Sequence, residues 1–215
     1  MKKKSVIQNA AISHIKEHSS IYLFITILFL MGVIFGAIVV NSLSFNQKED
    51  LFYYLSQFFG QVKQGQISAD SGMFWQTVSH NIKYIGLIWL LGISIIGLPI
   101  ILVLLFLKGM VVGFTVGFLV NQMGLGGFLL AIVSIFPQNI IIVPVFILIT
   151  TLALSLSIKI FRRLFMKQLE KPLKPAIIRY FICLTAAAVF LLAAGALETF
   201  LSPHLMKSVV SMASK

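Results

Sequence analysis

Residues 108–159 read KGMVVGFTVGFLVNQMGLGGFLLAIVSIFPQNIIIVPVFILITTLALSLSIK. Between the two lysines lie fifty residues with no Asp, Glu, Lys, Arg or His. A helix of a water-soluble protein needs a polar face, and this run has none. At about 1.5 Å per helical residue it would extend roughly 75 Å, more than twice a hydrocarbon core of about 30 Å. The run therefore folds back within a bilayer. Its candidate breaks are Asn121-Gln122 with Gly124, Gly126 and Gly127, then Pro137-Gln138-Asn139, then Pro144. Gly109, Gly113 and Gly117 sit at i, i+4 and i+8, one above another on a single helix face. Without side chains they let a second backbone approach closely, a main source of helix association in lipid. The spacing leaves open whether that backbone belongs to the same chain or to a second copy in a homodimer.

The whole chain agrees with this start. Of 215 residues, 59% are hydrophobic and 11% charged, and the mean hydropathy is +1.00. That composition defines an all-α polytopic membrane protein whose partner is the lipid bilayer. The net charge of +11 does not indicate nucleic acid, because no basic patch with interleaved aromatics stands outside the apolar segments. A single cysteine, Cys183, excludes an internal disulfide and a Cys-rich metal site.

Residues 1–20 are polar and basic. Residues 21–40 form the first predicted span, a retained anchor with no A-x-A cleavage site after it. Gly32 and Gly36 give it one small-xxx-small pair. Residues 41–83 are an external loop with structure of its own. Ser44-Phe45-Asn46-Gln47 has capping-box spacing. After it, Leu51, Phe52, Leu55, Phe58, Phe59 and Val62 make one apolar face of a helix too polar to span. That face suits the membrane surface or a partner. A second amphipathic stretch with Phe74, Trp75, Val78 and Ile82 leads into the next span.

Further spans are expected over residues 84–107, 109–123, 140–160 and 180–200, with Lys108 marking a boundary. Gly97-Leu98-Pro99 predicts a kink near residues 95–99. Residues 124–139 are too short to span and read as a half-helix or re-entrant segment, with a bend near Pro144 in the span that follows. Residues 161–179 form a basic cytoplasmic loop, and residues 205–212 a short terminal amphipathic helix. Five crossings with the N-terminus inside place Lys2, Lys3, Lys4, Lys16, Lys108 and the seven cations of 159–179 inside. They leave Lys48, Lys63, Lys83, Lys207 and Lys215 outside, in line with the positive-inside rule.

Chemistry is sparse. No paired carboxylates, nucleophile elbow, Walker loop or H-E-x-x-H motif is present, so no enzyme, cofactor or metal site is expected. His14, His18, His80 and His204 all fall outside the predicted spans, and Lys108 and Glu198 are placed at span ends. Asn121, Gln122, Gln138 and Asn139 either satisfy broken helix ends or line a polar path.

Several stretches resemble the stage II sporulation protein M family of spore-forming bacilli. They are Tyr22-Leu23-Phe24-Ile25-Thr26, Leu51-Phe52-Tyr53-Tyr54-Leu55 with Gln57-Phe58-Phe59-Gly60, residues 84–92 and residues 107–114. The resemblance implies a non-catalytic multi-pass protein of the engulfment machinery. It would position two wall hydrolases, stage II sporulation proteins D and P, at the septum and the engulfing mother-cell membrane. The wider superfamily often carries Pro-His-Gly-x-x-Glu-x-Pro. Here both prolines stand, as Pro137 and Pro144, while Gln138, Asn139 and Ile142 replace the His, Gly and Glu. The alternative is a small-solute or lipid transporter or channel, built on the broken helices around Asn121-Gln122 and Gln138-Asn139.

Overall fold

A computed structural model describes residues 19–63, 71–165, 173–197 and 199. The described chain is helical: α1 (Ser19–Ser42), α2 (Phe45–Lys63), α3 (Ser71–Gly92), α4 (Gly97–Ser134), α5 (Phe136–Phe165) and α6 (Leu173–Ala196). Three of these, α1, α4 and α5, are long and apolar enough to cross a membrane, and residues Tyr180–Ala196 form a shorter apolar stretch within α6.

Polar residues occupy the first half of α3 and break its apolar run. The predicted boundary at residue 84 is nevertheless absent, because one unbroken helix carries the amphipathic stretch into the apolar one.

Glycine builds the tightest contact. α1 and α4 run parallel, with Phe29 against Gly109, Val33 against Gly113 and Ala37 against Gly117. The offset of 80 residues recurs where Asn121 Nδ2 donates to Asn41 Oδ1 at 3.4 Å. Gly32 and Gly36 answer from α1, seated on the Phe106 and Met110 carbonyls. A Cβ at Gly113 would overlap the Val33 carbonyl, and one at Gly117 would stand 2.9 Å from Ala37 Cα. The face is thus filled by the chain's own first helix and is closed to a partner's helix.

Helix α5 is the centre of the bundle, and every residue from 149 to 157 is buried. On one side Phe146, Ile149, Leu152, Ala153 and Leu156 pack with Ile85, Ile88, Tyr180 and Leu191. On the other, Leu154 joins Ile25, Phe29 and Leu105. Trp89 stacks on Tyr180 at 5.7 Å, and the Tyr180 hydroxyl donates to the Trp89 carbonyl at 3.0 Å. Cys183 is half-buried against the first cluster. The outside of the bundle is as apolar as its inside: Leu23, Ile34, Ile38, Val111, Leu129 and Val189 are all exposed. A surface of that kind is stable against lipid rather than water.

Four further predicted boundaries need correction. The kink expected from Pro99 inside a span of 84–107 is instead a full break. α3 ends at Gly92, a turn follows with Ser94 N–H donating to the Leu91 carbonyl at 3.0 Å, and α4 starts at Gly97. Pro99 then lies in the first turn of a new helix, where its missing N–H costs nothing. Ser157 Oγ from α5 donates to the Ser94 carbonyl at 2.8 Å and satisfies that turn. Second, no boundary exists at Lys108, since α4 passes through it without interruption.

Third, residues 124–139 are not a separate re-entrant unit. The chain turns at Gly124, whose φ of 56° belongs to the left-handed region. The limb 125–134 then folds back with Gly127 against the Leu119 carbonyl and joins α5 through Ile135. Fourth, α5 begins at Phe136 rather than 140 and continues through Pro144 to Phe165. Lys159, Arg162 and Arg163 therefore extend the helix instead of opening a loop. The rest of the basic stretch up to 172, Glu198 and the terminal amphipathic helix lie outside the described residues.

Candidate functional site

The antiparallel hairpin of α3 and α4 sets the register of the site. The Tyr84 hydroxyl donates to the Leu104 carbonyl at 2.5 Å. One turn further on, Lys108 Nζ donates to Asn81 Oδ1 at 3.5 Å. Asn81 is buried, and its own Nδ2 donates to the Thr77 carbonyl at 3.1 Å, which fixes the amide with its oxygen toward the lysine. The ammonium also lies 5.8 Å from the Tyr84 ring centroid and 5.2 Å from that of Phe146, within cation–π range.

Depth makes the lysine unusual. Lys108 lies eleven residues from Gly97 and fifteen from Met123. At about 1.5 Å per residue, that is roughly 16 Å and 22 Å from the ends of this limb. It is therefore not a snorkelling cation at a span end, as its sequence position suggested, but an ionisable group near the middle of a long apolar helix. Such groups mark function by default.

A cavity of about 500 Å³ opens between α3, α4 and α5. Gln76, Thr77, His80 and Asn81 line it from α3, Lys108 and Thr115 from α4, and Gln138 and Asn139 from α5. Gln76, His80 and Thr115 are exposed at its mouth. No carboxylate lines it among the described residues. Asn139 Nδ2 donates to the Ile135 carbonyl at 2.8 Å, closing the junction between α4 and α5.

The four candidate amides are not brought together. Gln138 and Asn139 line the cavity, whereas Asn121 pairs with Asn41 at the α1–α4 contact, and Gln122 is not on the cavity wall. The three positions that depart from the superfamily signature, Gln138, Asn139 and Ile142, all face this cavity. His80, read from sequence as external, is at its mouth, while His14, His18 and His204 lie outside the described residues. Among the described residues no three His, Cys, Asp or Glu stand close enough to hold a metal ion. Sequence reasoning missed Lys108 and its partner Asn81. The available signal was that Lys108 is the one charge between Lys83 and Lys159.

The amphipathic helix stands apart. Its capping box forms: Ser44 N–H donates to Gln47 Oε1 at 3.0 Å and Gln47 N–H to Ser44 Oγ at 3.4 Å. Leu51, Phe52, Tyr53 and Tyr54 are exposed and Leu55 is half-buried, and no other described helix packs along α2. The side chains of Phe58, Phe59 and Val62 lie outside the described set.

A lipid-facing helical bundle with a polar cavity in its interior defines a multi-pass membrane protein. The chain belongs to the stage II sporulation protein M family, whose sequence profile matches residues 25–203, from α1 through α6. It is thus a sporulation-related membrane protein. No curated protein and no solved structure matches it.

Proposed function

We propose that this protein is a non-catalytic membrane scaffold of the engulfment machinery, positioning the wall hydrolases stage II sporulation proteins D and P for septal thinning. The observation that carries this is α2. It is a capped amphipathic helix whose Phe52, Tyr53 and Tyr54 are exposed and which no other described helix covers. A face of that kind is available to a partner or to the bilayer surface. The family membership supports the sporulation context.

The topology we propose has five crossings: α1, α3, residues 97–123, residues 125–134 continued by α5, and α6. Parallel α1 and α4 agree with it, since both then run outward. Taking Lys83 and Lys108 into the helices leaves eleven cations inside against four outside, so the N-inside, C-outside orientation keeps its charge bias. A Ser214→Cys variant in a Cys183→Ala background should react with an impermeant maleimide in intact cells. Reaction only after lysis would reject the orientation.

The scaffold is tested by purifying the tagged, detergent-solubilised protein from sporulating cells and identifying what accompanies it by mass spectrometry. Hydrolases should accompany wild type and be lost with Phe52→Asp/Leu55→Asp. Their absence from well-folded wild type would defeat the proposal. Transport is the second reading, favoured by the cavity at Lys108. Against it, Asn81 and the Tyr84 and Phe146 rings hold the ammonium in place, which suits binding better than passage.

A further inference from the structure

The cavity is a strong candidate for chemistry that the scaffold does not use. Its charge comes from Lys108, and its walls supply amide donors from Gln76, Gln138 and Asn139 and the imidazole of His80. Lysine presents a compact charge with three donors, which suits an oxyanion. The apolar surroundings of the half-buried lysine strengthen that attraction. Lys83, also exposed, follows His80 by one turn on the same side of α3 and adds a second cation near the mouth.

Below the polar mouth the surface changes character. Leu87 and Leu90 on α3, and Val103 and Leu107 on α4, are 39–61% exposed. The register set by Tyr84 with Leu104 brings these residues to the same stretch of the hairpin. An apolar seam thus runs from the cavity toward the turn at residues 93–96. A free anion has no use for such a seam, whereas a lipid places its headgroup at one end and an acyl chain along the other.

We propose that this cavity binds the phosphate group of an anionic membrane lipid, held by Lys108 with Gln138 and Asn139, with an acyl chain in the α3–α4 seam. The inference is independent of hydrolase docking on α2. It accounts for a cation retained near the middle of a long apolar helix, a costly place for a charge.

The test uses the full chain in detergent micelles, titrated with phosphatidylglycerol, phosphatidylcholine or inorganic phosphate and read by native mass spectrometry. One saturable phosphatidylglycerol adduct is expected, stronger than that of phosphatidylcholine. Lys108→Met should weaken it about tenfold or more, the loss of a charged hydrogen bond. Lys108→Arg should retain it, and Arg163→Met, at the far end of α5, should leave it unchanged. Should Lys108→Met fail to elute as folded protein, Gln138→Leu reads the same site with a smaller loss. Equal phosphatidylglycerol binding by wild type and the folded Lys108→Met, or by wild type and Gln138→Leu where that variant stands in, would overturn the proposal. So would equal affinity for the two lipids. Saturable inorganic phosphate without lipid retention would overturn the lipid source.

Discussion

The two faces of α4 are built by opposite means. Toward α1, Gly109, Gly113 and Gly117 remove every side chain, so that backbone meets backbone with no room for a methyl group. Toward α3 and α5, the preceding residue, Lys108, projects a long cationic side chain into a cavity of about 500 Å³ lined in part by amides. In lipid the first face gains from contact alone, because dispersion replaces the hydrophobic effect as the force between helices. The second face gains little from contact and must satisfy a charge locally. The comparison teaches that one helix can be anchored on one side and kept chemically open on the other. The anchored side holds the lysine at its depth.

The sharpest way to break the comparison is Gly113→Leu. Its side chain has to displace the Val33 carbonyl, which is backbone and cannot give way. The expected cost is about 3 kcal/mol or more, at the upper end of overpacking, read as loss of the folded species in size-exclusion chromatography. Gly86→Ala is the matched control, since nothing lies within 4 Å of a Cβ there. It should leave the melting temperature unchanged or slightly raised, because alanine favours helix over glycine. A Gly113→Leu protein as stable as wild type would mean that α1 does not pack here. Gly124→Ala ranks next. The site has open space but a φ of 56°, so the loss should be about 1–2 kcal/mol, from backbone strain alone.

These two glycine effects were legible to different degrees. The i, i+4, i+8 spacing announced the contact, because a helix puts those positions on one face whatever surrounds it. That its partner is α1 was not legible, since spacing does not identify the second backbone. The break near Gly124 could be read from three glycines in four residues, and the capping box at Ser44 from spacing alone. Lys108 was misread for a physical reason. A lysine between apolar runs marks a membrane edge when its charge reaches water, and only the fold shows that Asn81, Tyr84 and Phe146 receive it instead. Pro99 misled in the same way, because a proline in a first turn and one in a helix interior look alike until the preceding turn is seen.

Asn81→Leu tests the open face. It removes the amide that accepts from Lys108 and donates to Thr77. The expected destabilisation is about 1–2 kcal/mol, mostly from leaving the ammonium less well solvated. A double-mutant cycle with Lys108→Met should give a coupling of about 0.5 kcal/mol or more. Zero coupling would mean that the two side chains share the cavity without sharing a bond.

The smallest effect belongs to α2, which packs along neither face of α4. Ser44→Ala removes one half of the capping box: the Gln47 N–H loses the hydroxyl oxygen that accepts from it, while the N–H of residue 44 still donates to Gln47 Oε1. The cost is about 0.5–1 kcal/mol, confined to the first turn of the helix. Because α2 packs along no other described helix, that loss should not spread to the bundle. Hydrogen exchange should quicken at residues 45–48 while the melting temperature of the rest stays at its wild-type value. A fall in the whole bundle's stability would instead mean that α2 is docked on it, and its apolar face would then be taken.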